Sequence, residues 1–84
     1  MQIHELKTID PFYSQVESGD KTFELRYNDR DFQKGDYLLL KRYNPVNFTY
    51  SGESTLVRVK HVLQGFAGID KDFCIMSISA PIIN

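Results

Sequence analysis

Tyr37-Leu38-Leu39-Leu40 is apolar at four consecutive positions, so a strand made from it has no polar face to offer water. In an element of period two, such a run belongs in the middle of a sheet or barrel wall, with neighbours on both sides. Turn signals bound it. Lys34-Gly35-Asp36 precedes it, and the polar tail Lys41-Arg42-Tyr43 leads into Asn44-Pro45, where proline cannot continue a central ladder. The remaining residues must therefore supply strands to flank it.

Ile3 to Ile9 alternates as a first strand, with His4, Leu6 and Thr8 on one side and Ile3, Glu5 and Lys7 on the other. The pattern leaves its facing open. Asp10-Pro11 then predicts a helix start, because Asp accepts at an N-cap and proline at the first helical position loses no needed N–H. Phe12 and Val16 share a face of that short helix, and Gly19 stands where a left-handed C-terminal cap is needed. A second strand over about Thr22 to Tyr27 places Phe23, Leu25 and Tyr27 on an apolar face, read as core, and Thr22, Glu24, Arg26 and Asn28 on a polar one. Asn28-Asp29 ends it in a turn.

Residues 44–54 read as a loop with room for a small hairpin, and Phe48 and Tyr50 are expected to tuck into the core rather than stand out as stacking platforms. From Thr55 to Leu63, Val57, Val59, His61 and Leu63 oppose Arg58 and Lys60, the pattern of a half-buried strand. Phe73 to Ile78 forms a last strand. The expected fold is α+β and mainly β: one domain over residues 1–84, a small open β-barrel of about five strands with one short helix near the N-terminus.

Six Phe and five Tyr supply a compact core without staples, and Cys74, the single cysteine, fits a reducing compartment. No apolar run approaches the roughly 18 residues of a membrane span, so the reading is a soluble, cytoplasmic protein with no membrane partner. His4 and His61 have no cysteine or carboxylate cluster at ligand spacing, so no metal site is expected, and no phosphate loop or cofactor motif is present. Formal net charge is −1, so any nucleic-acid contact must be local. Six of the ten basic residues, Lys21, Arg26, Arg30, Lys34, Lys41 and Arg42, fall between residues 21 and 42, diluted by Glu24, Asp29, Asp31 and Asp36.

The densest chemistry lies in Gly19-Asp20-Lys21-Thr22-Phe23-Glu24-Leu25-Arg26. Glu24 and Arg26 are roughly 7 Å apart along a strand at about 3.3 Å per residue, within reach of their long side chains. A carboxylate about 4 Å from a cation gains roughly 4 kcal/mol at an effective dielectric near 20, before desolvation is subtracted. The set should be fully charged, which suits recognition better than proton transfer. An ion-pair network pinning the helix cap to the sheet is the purely structural alternative.

The spacing of Gly19, Lys21, Glu24 and Arg26 resembles the Gly-x-Lys-x-x-Glu-x-Arg signature of the activating signal cointegrator homology (ASCH) domain, a branch of the PUA-like superfamily. The resemblance continues through Asn28 to Phe32 and Gly35-Asp36 and back to His4 to Lys7, about half of the chain. It implies a PUA-like open barrel that binds RNA or a modified nucleoside or nucleotide, with Lys21, Glu24 and Arg26 lining a cleft. Arg30, Lys41 and Arg42 would then contact phosphate, and His4 would lie near the cleft if the first strand pairs with the second. The alternative is an amidohydrolase acting on an acylated nucleoside such as N4-acetylcytidine, with Lys21 and Glu24 catalytic. In that neighbouring group the nucleophile is a threonine, and the matching position here is Glu24. A small protein-interaction module using Phe48 or Tyr50 is the third reading.

Overall fold

The computed structural model describes residues 1–82. The elements run β1 (Ile3–Thr8), α1 (Phe12–Ser18), β2 (Phe23–Tyr27), β3 (Tyr37–Asn44), β4 (Thr49–Gln64) and β5 (Phe73–Ile78). One mixed sheet holds all five strands in the order β1-β3-β4-β5-β2. β3 pairs with β1 in parallel and with β4 in antiparallel, which is the two-sided position its apolar run requires. β4 is 16 residues long and serves both halves of the sheet. Its residues 49–58 pair with β3, and residues 59–64 with β5.

α1 begins one residue later than the sequence suggests, at Phe12, with Pro11 in the capping position. Asp10 still satisfies the first turn, because its Oδ1 accepts from the Ser14 N–H at 3.2 Å and from the Ser14 hydroxyl at 2.8 Å. At the other end Gly19 takes φ +86°, the left-handed conformation expected of it, and its N–H reaches the Val16 carbonyl at 3.1 Å. The helix lays Tyr13 and Val16 onto a core of Leu6, Leu38, Leu40, Val57, Val59, Met76 and Ile78. The Tyr13 hydroxyl is within 3.1 Å of Thr55 Oγ1 and donates to Glu17 Oε2 at 3.3 Å, so its polar tip is paired inside that core. No helix among the described residues is long and apolar enough to cross a membrane.

Three expected facings are corrected. In β1, His4, Leu6 and Thr8 point inward, but in β2 the buried residue is Glu24, while Phe23, Leu25 and Tyr27 are about half exposed. The inward face of β2 is therefore the polar one. The cause is partner chemistry: Glu24 enters the interior held between two cations, a compensation that apolar periodicity does not register.

In β4 the register slips between Val59 and His61. A strand with one extra residue turns its following side chains over, so Val57 and Val59 are buried, His61 and Leu63 face out, and Val62 packs against the core instead. Phe48 and Tyr50 are also exposed rather than core. Pairing of β1 with β3 ends at Thr8 and Arg42, so the β3–β4 hairpin beyond that point has no third strand beside it.

Candidate functional site

β1 and β2 are the two outer strands of the sheet, and no backbone ladder joins them. Side chains from β2 and the turn after it cross the opening instead. Arg26 Nη1 donates to the Lys7 carbonyl oxygen at 3.0 Å, and its Nη2 donates to Thr8 Oγ1 at 3.1 Å. Arg30 Nη1 donates to the Glu5 carbonyl oxygen at 2.9 Å. Glu5 and Lys7 have the same parity, so two successive free carbonyls of an outer strand are each met by a guanidinium.

Glu24 organises the inner side of this opening. Its side chain is 3% exposed, and Oε1 accepts from Arg26 Nε at 2.9 Å, with Arg26 Nη2 2.8 Å away. Oε2 accepts from Lys21 Nζ. Burying a carboxylate costs several kcal/mol unless it is paired, and here both oxygens are engaged by cations. The two cations arrive from opposite sides: Arg26 along the same strand, and Lys21 from the turn that Gly19 makes at the end of α1. The Lys21 backbone N–H bonds the Gln15 carbonyl at 3.0 Å, fixing the residue against the helix. Its ammonium also donates to the Phe23 carbonyl at 2.6 Å and lies 5.0 Å from the Phe23 ring centre and 5.9 Å from that of Phe12. An ammonium has three donors, so one remains beyond these two bonds.

A cleft of about 700 Å³ lies between the end of β1, α1 and β2, and Lys21, Glu24 and Arg26 all line it. Ile9, Phe12, Phe23 and Leu25 supply apolar walls. That volume and mixture suit a small organic ligand oriented by few polar groups. Beyond Arg26 a second compartment of about 380 Å³ is lined by Glu5, Lys7, Arg26, Tyr27, Asp29, Arg30, Lys41 and Tyr50 among others. Lys7 and Arg26 line both.

The sequence therefore identified three residues that the fold brings together and four that it distributes. Arg30 and Lys41 occupy the second compartment, where Lys41 pairs with Glu5 at 3.2 Å. Arg42 is elsewhere, donating from Nε to Asp10 Oδ2 at 2.8 Å and from Nη1 to Glu53 Oε1 at 2.9 Å. Those bonds raise the Arg42 pKa, and the Ser14 hydroxyl together with Arg42 holds Asp10 below the ordinary carboxylate range.

His4 is buried outside both compartments, with Nε2 2.9 Å from Asp36 Oδ2 and its ring edge-on to Phe32. Asp36 also accepts from the N–H groups of Gln33 and Gln2, fastening the start of β1 to the turn before β3. Phe12, Phe23 and Lys7 are cleft residues that sequence reasoning missed. The parity of Phe23 assigned it to the core, and nothing local shows that β1 ends beside β2.

No curated protein matches this chain. A family model described as a domain of unknown function, DUF3850, matches residues 3–78. The match runs from the first residue of β1 to the last of β5, spanning the sheet, the helix and the Lys21–Glu24–Arg26 cluster, and the chain belongs to that family.

Proposed function

We propose that the protein binds RNA or a nucleotide-like ligand in the cleft between β1, α1 and β2. The observation that carries this reading is the Lys21 ammonium, held against Glu24 at an apolar-walled cleft with one donor unspent. A phosphate or a base carbonyl would take that donor, while Phe12 and Phe23 would pack against a base or sugar. Glu24 holds Lys21 and Arg26 in place, with one cation on each of its oxygens.

The motif spacing supports placing the chain among ASCH domains. We read the sheet, with arginines crossing the β1–β2 opening, as an open PUA-like barrel working in the cytoplasm. The presence of Lys21 and Glu24 in one cleft of nucleoside size favours a second reading, an amidohydrolase of acylated nucleosides. Binding ranks first because the catalytic geometry would have to break the Lys21–Glu24 pair.

The test is an amide NMR titration of labelled protein with 5′-mononucleotides and with cytidine and N4-acetylcytidine. Binding predicts shifts on residues 21–26 and on Phe12, weakened in a Lys21→Met variant that retains the wild-type spectrum elsewhere. Release of acetate from N4-acetylcytidine, lost in Lys21→Met, would establish the hydrolase reading instead. No shift at these residues with any of these ligands or with a short single-stranded RNA would refute both.

A further inference from the structure

We infer that the ligand is a single-stranded nucleic acid rather than a free nucleoside or mononucleotide, with the second compartment holding the nucleotide next to the one in the first cleft. This rests on the nucleotide-binding reading above and extends it. The two compartments adjoin at Lys7 and Arg26, which line both. A mononucleotide seated beside Lys21 leaves Arg30, Lys41 and Tyr50 unused, because these line only the second compartment.

Charge favours a phosphate backbone there. With Arg26 committed to Glu24, Lys7, Arg30 and Lys41 face two carboxylates, Glu5 and Asp29, so the compartment keeps an excess of positive charge in a molecule of net charge −1. Glu5 already pairs with Lys41, while Arg30 gives one donor to a backbone carbonyl and keeps others.

The aromatic groups favour a base beside that backbone. The Tyr50 ring is half exposed, stands edge-to-face on Tyr43 with centres 5.0 Å apart, and carries the Lys41 ammonium 5.0 Å from its own centre. Lys7 lies 4.6 Å from the centre of the Tyr43 ring. Aromatic rings interleaved with cations along a groove are how proteins hold single strands without reading their sequence, by stacking bases and tracking phosphates.

The experiment compares wild type, Tyr50→Ala and Tyr50→Phe for binding fluorescein-labelled oligonucleotides of about eight residues, by anisotropy, and 5′-mononucleotides, by calorimetry. Oligonucleotides should bind wild type at least tenfold more tightly than mononucleotides. Tyr50→Ala should remove roughly tenfold or more of oligonucleotide affinity, leave mononucleotide affinity unchanged, and be rescued by Tyr50→Phe. Replacing Lys7 and Lys41 by Gln should flatten the salt dependence by about 0.7 in log–log slope for each phosphate that is no longer neutralised.

Mononucleotide binding with no oligonucleotide advantage, or an unaltered Tyr50→Ala variant, would overturn this inference while leaving the cleft reading intact. Failure of wild type to bind either ligand would overturn both.

Discussion

Arg26 and Lys7 sit on opposite outer strands, and a guanidinium N–H of one meets the backbone carbonyl of the other at 3.0 Å. A side chain thus occupies the seam where a ladder would otherwise run. The same guanidinium neutralises buried Glu24, so one residue both closes the sheet opening and makes an interior carboxylate tolerable.

Arg26→Ala is therefore expected to lower stability by about 2 kcal/mol, less than a fully broken buried pair because Lys21 still faces Glu24. Arg26→Lys should recover less than half of that, since a single ammonium cannot reproduce the fork that reaches Glu24 and β1 together. Urea midpoints for the three proteins check this. A lysine variant as stable as wild type would show that the crossing bonds contribute little.

The inverted facing of β2 makes a contrast between adjacent positions. Leu25→Thr should change stability by no more than about 0.5 kcal/mol, since the leucine is exposed and threonine keeps the strand preference. Glu24→Ala should cost about 3 kcal/mol, because it leaves two cations facing a buried gap. The opposite ranking in thermal unfolding would mean that β2 presents its apolar face to the core.

Much of the fold was readable because local rules acted alone. Gly19 closes the helix, Asn44-Pro45 ends β3, and the both-faced apolar run of β3 lies between two partners. What escaped reading depends on contacts distant in sequence. Glu24 is inside because Lys21 and Arg26 accompany it, and its strand neighbours Phe23 and Leu25 are outside as a result. The β4 bulge near Lys60 reverses which side His61 and Leu63 take. Arg42 resembled a phosphate ligand in a basic stretch, yet Asp10 lies 32 positions away in sequence and claims it.

Acid should act through Asp36. Burial pushes its carboxyl pKa upward, but the bond with His4 and the N–H donors of Gln33 and Gln2 outweigh this, and the net shift is below the ordinary 3.8. A depressed folded-state value means the contribution is complete above the unfolded value and is lost as pH falls through the lower folded one. The stability difference between wild type and Asp36→Asn should shrink as pH falls from about pH 5 to below about pH 4. Urea denaturation across that range checks it, and a difference that grows on acidification would contradict it.

Cys74 should be chemically silent in the native state. It is fully buried in the core, and burial raises its thiol pKa, so little thiolate forms and no reagent reaches it. Labelling with a disulfide reagent should proceed at the rate of unfolding and accelerate in urea. Rapid stoichiometric reaction without denaturant would refute this.

β2 is second of the five strands in sequence, yet among the described residues its ladder partner is β5, about fifty residues further on. During synthesis, residues 23–27 emerge early and must wait for residues 73–78 before they have an edge to join. Lys21, Glu24 and Arg26 can take their places around the opening only after that last strand arrives. The cleft is thus a late product of folding, and a chain stopped short of β5 would carry every residue of the cluster without assembling it.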